Sequence, residues 1–393
     1  PFAPLSLNIA PSTAQWARDF LAPRGGQQIS WVAVQVGASD PMKAWRPELF
    51  GQTLAALSRQ TPVGYVFIGT ESERKAIETA QMAYRQAGGR GPLCDAVGRT
   101  TLPQLAAVLA QCRLLLTNDT GPMHLAVGVG TPVIDLSVGH VDFRETGPYG
   151  PGHWIVQPDM GCAPCGFDQV CLHHACKDRL VPDQIAALCL HVLNGGAFPE
   201  KLTGIKIYRS RVDEDGLGST ELHAGREDPT VSWYGRFWRR FWFEQFTGRP
   251  SLVPMVSEPP PDWKESMALL DRLMPLAARL VSRAEELVRL TARRPLPIST
   301  LQQMQLEESG ERQTVVALSL QSPATASLAV ALVRDTHNDD GHELTGMAEC
   351  RLATYRRWRK RLHTVAAGFR SFNTAQGFAP RGTTVAIPMA RIG

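Results

Sequence analysis

The 393-residue sequence has no apolar run approaching the roughly 20 residues that a membrane-spanning helix needs. Its best candidate, Ala324 to Val333, is too short and carries serine and threonine. Its opening has no basic n-region, so a secretory signal peptide is not expected. It opens Pro1-Phe2-Ala3-Pro4 without an initiator methionine, which reads as a piece of something longer. No internal repeat is visible, so a stacked-repeat architecture is not expected. Charge of one sign is scarce in excess: the net charge is +4, with a pI ≈ 8.7. That mild basic balance does not imply nucleic acid, and no nucleic-acid motif accompanies it. What is there is ordinary for a globular protein, 44% hydrophobic and 20% charged, long enough for two or three domains with ample core.

Residues 1–197 alternate strands and helices. A helix is expected over Thr13 to Leu21, entering the first lobe. Apolar strands read at 31–36, 63–68, 114–116 and 133–136. Helices read at 47–57 and 71–87, and at 102–111 from apolar residues at 102, 105, 108 and 109. A last helix, 182–193, has Pro182 at its start and Gly195-Gly196 just past its end. This alternation predicts a parallel sheet with helices on both faces, an α/β lobe.

The second half differs. Residues 198–262 read as an irregular aromatic and basic linker, with an Asp/Gly stretch at 213–218 and prolines at 259–261. A helical domain is expected from 263 to 393, with helices over 263–290, 301–334 and 343–372. Pro275 should kink or split the first, and Ser322-Pro323 should break the second. The segment 233–246, rich in Trp, Phe and Arg, suits a helical core, a membrane surface or a partner. The basic run 351–370 reads as an amphipathic helix with Leu352, Tyr355, Leu362 and Val365 inward.

The densest chemistry lies in Thr117-Asn118-Asp119-Thr120-Gly121-Pro122-Met123-His124, between a strand and a helix. In open α/β sheets ligands bind outside the carboxyl ends of the strands. A helix N-terminus there offers backbone N–H groups and a positive dipole end to an anion. Gly121 would admit a phosphate close to the main chain, and His124 falls one turn in. The plain alternative is a helix cap at Asp119 or Thr120 with a solvated His124. After strand 31–36, the small residues Gly37, Ala38 and Ser39 leave room for a ligand, and Lys43 supplies positive charge; the alternative is a surface lysine beside a core Trp45. After strand 63–68, Glu71 and Glu73 either accept bonds from ribose hydroxyls or merely suit a helix start.

These motifs in this order (G-A-S-x-x-x-K-x-W at 37–45, G-T-E-S-E at 69–73, N-D-T-G-P-M-H-L-A at 118–126, G-T-P-V-I-D-L at 130–136 and G-P-Y-G at 147–150) resemble glycosyltransferase family 9, the heptosyltransferases. The resemblance covers about residues 5–195. It implies a GT-B architecture, of which this would be the Rossmann-like C-terminal lobe that binds the donor ADP-heptose. It implies inverting transfer of the sugar to a lipopolysaccharide-core or protein acceptor. By position, Lys43 would neutralise the diphosphate and Glu73, rather than Glu71, would hold the ribose. Asp119 would bind sugar hydroxyls, the N–H groups of Thr120 and Gly121 the phosphate, and His124 would lie close to the diphosphate or sugar. Ser39 completes the donor-binding set, and Lys43, Asp119 and His124 are the catalytic candidates. The family's N-terminal lobe, with the acceptor site and general base, has no counterpart in the chain, so the isolated chain should transfer poorly or not at all.

Four cysteines cluster as Cys162-x2-Cys165-x5-Cys171-x4-Cys176. Four thiolates so spaced can hold a structural zinc or iron; two disulfides are the rival arrangement, disfavoured without an export signal. The resemblance points the same way, since some family members hold a metal here. The other four cysteines read as ordinary buried or half-buried thiols. The partners expected are the nucleotide sugar, the acceptor, an inner-membrane surface and a second copy of the chain, without nucleic acid, in the cytoplasm. A second reading is a non-catalytic metal-knuckle scaffold that retains the lobe.

Overall fold

A computed structural model describes residues 3–22, 29–166, 170–252, 258–337 and 343–375. The chain forms two compact units, Pro1–Arg226 and Glu227–Gly393.

The first unit is built on one eight-stranded sheet: β1 (Trp31–Gln35), β2 (Gly64–Ile68), β3 (Leu93–Asp95), β4 (Cys112–Asn118), β5 (Val133–Leu136), β6 (Trp154–Pro158), β7 (Ile205–Val212) and β8 (Gly218–Ala224). The order is β3-β2-β1-β4-β5-β6-β7-β8. The first six strands are parallel. Their 3-2-1-4-5-6 order is that of a doubly wound sheet, whose winding reverses between β1 and β4.

β1 shows why helices must cover both faces. Val32 and Val34 enter one core cluster, with Phe50 and Leu54 of α2 (Pro47–Ser58), Ile77 and Tyr84 of α3 (Arg74–Gln86), and Ile185 and Leu188 of α8 (Pro182–Asn194). Trp31 and Ala33 enter the opposite cluster, with Ala17 of α1 (Pro11–Leu21), Leu105 of α4 (Leu102–Ala110) and Met123 of α5 (Gly121–Gly128). Side chains of a strand alternate faces, so an all-apolar run is at home only between two layers. Local signals fix the ends. Thr101 and Gln104 form a capping box at α4, and Gly195, left-handed at φ 64°, stops α8.

The sheet is not purely parallel, and the stretch expected to be an irregular linker carries regular elements, β7, β8 and a helix over Pro229–Thr247. β7 pairs antiparallel with β6, and β8 with β7. The Asp/Gly stretch is the turn between them, with Gly216 at φ 78°. β8 reads Gly-Ser-Thr-Glu-Leu-His-Ala and alternates between half-buried and exposed residues, with none buried; its place comes from backbone pairing at a sheet edge, which leaves little hydrophobic pattern to read.

The second unit is helical: α9 (Pro229–Thr247), α10 (Trp263–Thr291), α11 (Ile298–Ser319), α12 (Pro323–His337) and α13 (Leu344–Ala375). The break at Ser322-Pro323 stands. Pro275 does not split α10. A stripe including Leu270, Leu273, Ala277, Leu280 and Ala284 is buried in the unit's core, and its burial outweighs the roughly 3 kcal/mol that an interior proline costs a helix. The aromatic segment 233–246 serves the core: Trp233, Tyr234, Trp238 and Phe241 pack with Tyr355, Trp358 and Phe369 of the basic helix α13. No described helix is long and apolar enough to cross a membrane.

Candidate functional site

The carboxyl ends of β1, β4 and β5 carry a row of buried polar residues. Register places Gln35 beside Thr117 and Thr117 beside Asp135. All three are at most 2% exposed. One residue further along β4, Asn118 joins the two halves of the sheet at its reversal point. Its Nδ2 donates to the carbonyls of Val36 (2.8 Å) and Gly37 (3.2 Å), and its Oδ1 accepts from the Trp45 N–H (3.0 Å). The loop after β1 is thereby fastened to the end of β4.

That loop carries Lys43, the last residue of a 3-10 turn, Pro41–Lys43, capped by Asp40. Trp45, fully buried, anchors it and donates through Nε1 to the Lys177 carbonyl (2.8 Å). Lys177 in turn donates through Nζ to the Pro41 carbonyl (2.6 Å), and Arg46 pairs with Asp178 (2.6 Å). The helix α7 (Ala175–Arg179) thus clamps the turn. From the other side Gly139, at φ 67°, lies so close that a Cβ there would sit 2.3 Å from the Met42 carbonyl oxygen. Only glycine fits that conformation and that approach.

Lys43, Asp119 and Asp135 share one electrostatic environment. Burial pushes the Asp135 carboxyl up to about 7; a bond from the Ser137 hydroxyl (2.7 Å) opposes the rise, the Asp119 charge adds to it, and the Lys43 ammonium opposes it. The Oδ1 of Asp135 is buried without a hydrogen-bond partner among the described residues. Asp119 is 6% exposed and accepts from the Thr146 hydroxyl (2.8 Å) at the end of α6 (Phe143–Thr146). Sequence reading passed over Asp135, although an acid inside the apolar run Pro-Val-Ile-Asp-Leu was its signal.

At the mouth of this row α5 begins. Thr120 is its cap residue and makes no side-chain cap bond. The Thr120 hydroxyl instead meets Thr117 and the Asn118 carbonyl (both 3.3 Å). So the capping reading of Asp119 and Thr120 does not account for their side chains. Gly121 is exposed, and a Cβ there would meet nothing within 4 Å, so the first turn faces open space. His124 and Ser39 are exposed.

Glu73 is more heavily engaged than its sequence role suggests. Its Oε1 accepts from Gln35 Nε2 (2.8 Å); its Oε2 accepts from the Thr70 N–H (2.7 Å) and hydroxyl (2.9 Å). Gly37 is small for this carboxylate: a Cβ at residue 37 would fall 1.9 Å from Glu73 Oε1. Glu71 is taken up by Arg74, which also reaches Asp95 (3.0 Å).

The expected four-thiolate metal site is not assembled. Among the described residues no group of three or more His, Cys, Asp or Glu side chains is placed to hold a metal ion. No disulfide forms either; the eight cysteines are free. Cys176 is buried in the α2–α8 core cluster while Cys162 is exposed; the charges of Cys176, Cys162 and Cys171 all bear on Cys165, so the four thiols are neighbours without forming a ligand set. Residues 167–169, between the second and third cysteines, lie outside the described residues. What the segment does visibly is support: the Cys165 N–H donates to the Gly139 carbonyl (2.9 Å), and α7 clamps the Lys43 turn.

Residues 6–175 match the family model of glycosyltransferase family 9 (heptosyltransferase). Over 166 residues the chain is 27% identical to lipooligosaccharide heptosyltransferase 2 of Campylobacter jejuni serotype O:2, covering 41% of this chain and 50% of that protein. Over 52 residues it is 46% identical to the lipopolysaccharide core heptosyltransferase OpsX of Haemophilus influenzae, covering 13% of this chain and 15% of that protein. It is also similar to the solved Escherichia coli ADP-heptose lps heptosyltransferase II, at 18% identity and TM-score 0.40, covering 48% of this chain and 53% of that one. The chain spans about half the length of the Campylobacter relative. From residue 6 to residue 175 the chain is thus similar to glycosyltransferase family 9, the heptosyltransferases.

Proposed function

We propose that the first unit is the donor-holding lobe of a glycosyltransferase of the heptosyltransferase type. It takes a nucleoside diphosphate sugar, ADP-heptose by kinship, and the sugar passes with inversion to a lipopolysaccharide-core or protein acceptor held outside this chain. One observation carries the reading: the loop of Lys43 is fastened through Trp45 and Asn118 to the sheet's reversal point, and the Lys43 and Asp119 charges both act on Asp135 at the strand ends where α5 begins.

In this reading the Lys43 ammonium and the first-turn N–H groups at Thr120 and Gly121 hold the diphosphate and stabilise the negative charge it gains as the glycosidic bond breaks. Asp119, aimed by Thr146, accepts from sugar hydroxyls. His124 lies one turn into α5 at the same mouth, and Ser39 borders the loop. Glu73 holds the ribose with the acceptor capacity left on Oε1, which takes a single bond from Gln35. The base that deprotonates the acceptor is not among these residues. The cysteine segment contributes by bracing the Lys43 turn, and no step runs through a metal.

Calorimetric titration with ADP and an ADP-sugar tests this. Saturable binding is expected, weakened about 10- to 100-fold in Lys43→Ala, the range for a charge-assisted bond lost from a phosphate. For the sugar donor, Asp119→Ala should weaken binding by about tenfold or more, while Cys162→Ser should leave it intact. A folded protein that binds neither ligand would instead fit a scaffold that has kept the lobe without its chemistry.

A further inference from the structure

The helical unit holds a cleft of its own, independent of the donor site. About 500 Å³ in volume, it lies between α9, α12 and α13 and is lined in part by Phe246, Arg334, Asp335, Cys350, Arg357 and Arg361. Three arginines converge on a single carboxylate. Arg361 donates to Asp335 Oδ2 (3.0 Å), Arg357 approaches the same oxygen (3.7 Å), and Arg334 reaches Oδ1 (3.2 Å). Three positive charges against one negative leave this part of the lining at about +2.

Arg361 separates this arrangement from an ordinary surface network. Its side chain is 9% exposed and stacks over Trp242 at 5.1 Å, and its Nε has no hydrogen-bond partner among the described residues. A buried guanidinium with an unpaired donor is destabilising unless a second anion completes it. Arg334 and Arg357 are half exposed, so they can turn their planar forks toward such an anion. Phe246, 62% exposed, offers an aromatic wall with Arg334 over its ring at 6.0 Å.

We propose that this cleft binds a phosphate-bearing ligand: a dianionic phosphomonoester matches the net charge, three guanidinium groups present suitable donors, and the volume suits a molecule of sugar-phosphate size. The phosphate belongs either to a soluble metabolite or to a lipid headgroup.

The exposed Cys350 thiol reports on the cleft. Its alkylation by iodoacetamide, followed by peptide mass spectrometry, is measured in the full chain carrying Lys43→Ala, so that the first unit's phosphate site does not contribute. The probes are inorganic phosphate, glucose 6-phosphate and vesicles containing phosphatidic acid; glucose and phosphatidylcholine vesicles are the controls. Saturable protection is expected from the soluble phosphates or from the phosphatidic acid vesicles, and which of the two protects identifies the source. In Arg334→Gln and in Arg357→Gln, two half-exposed positions whose replacement should preserve folding, the half-protecting concentration should rise by about tenfold or more. Circular dichroism checks the fold. No saturable protection by any phosphate probe, or protection unchanged in both variants, overturns the proposal.

Discussion

Replacing Asn118 with alanine should destabilise the first unit by roughly 3–5 kcal/mol, since it strands three buried backbone groups at about 1–3 kcal/mol each with partial relaxation. The side chain is fully buried and satisfies the Trp45 N–H and the carbonyls of Val36 and Gly37. The Asn118 side chain is closed to bulk solvent, so those bonds are not readily replaced. The same three bonds tie the Lys43 loop to β4, so stability and ligand affinity should fall together. Because the chain has two units, the change belongs to the first one. Amide hydrogen exchange of β1 and β4 reads that local opening free energy directly. Asn118→Asp is the informative companion: it keeps an acceptor for Trp45, loses both donors and buries a charge. A change below about 1 kcal/mol in the alanine variant would mean that the reversal point is held by something other than this staple.

The second large effect is a pH dependence carried by Asp135. Its folded carboxyl titrates at about 7, against 3.8 for an ordinary aspartate, with burial as the main cause. The unfolded chain therefore releases this proton first. Between about pH 4 and 7 the folded state binds more protons than the unfolded state, so stability falls as pH rises and levels off above 7. A rise of about three pKa units corresponds to about 4 kcal/mol between the two plateaus. His153 acts oppositely: burial lowers its pKa to about 4, so its contribution is lost as the pH falls from about 6.5 toward 4. The difference between wild type and Asp135→Asn isolates the aspartate. Denaturation followed in the first unit at pH 5, 6, 7 and 8 should show the variant gaining on wild type up to pH 7 and holding that gain above it. Parallel curves would place a normal carboxylate at residue 135.

Much of the first unit was legible because its signals are local. Strand runs buried on both faces, the prolines that open α2 and α8 and the glycine that stops α8 each act within a few residues. The D-T-G-x-x-H stretch likewise announces a strand end and a helix start from its own residues. Register is different in kind. That Gln35, Thr117 and Asp135 lie abreast depends on pairing across three strands far apart in sequence, so Asp135 went unread. Asn118 stood beside the motif's acid, yet its work is done on residues 36, 37 and 45. Glu73 shows the opposite: a residue chosen for a ligand is also a capping-box acid, and Gly37 is small to admit it. β7 and β8 were missed because β7 is buried only in part, β8 at the sheet edge has no buried residue, and the pairing of both is made by the backbone. The cysteine spacing suggested a metal, but spacing does not fix where a thiol points, and Cys176 packs into the core.

The most direct measurement is a crystal structure of this chain soaked with ADP. The diphosphate is expected at the start of α5, with Lys43 Nζ about 3 Å from a phosphate oxygen and the main chain at Gly121 against the same group. ADP bound away from the ends of β1 and β4, or seated there with Lys43 turned out of hydrogen-bond reach, would contradict that placement.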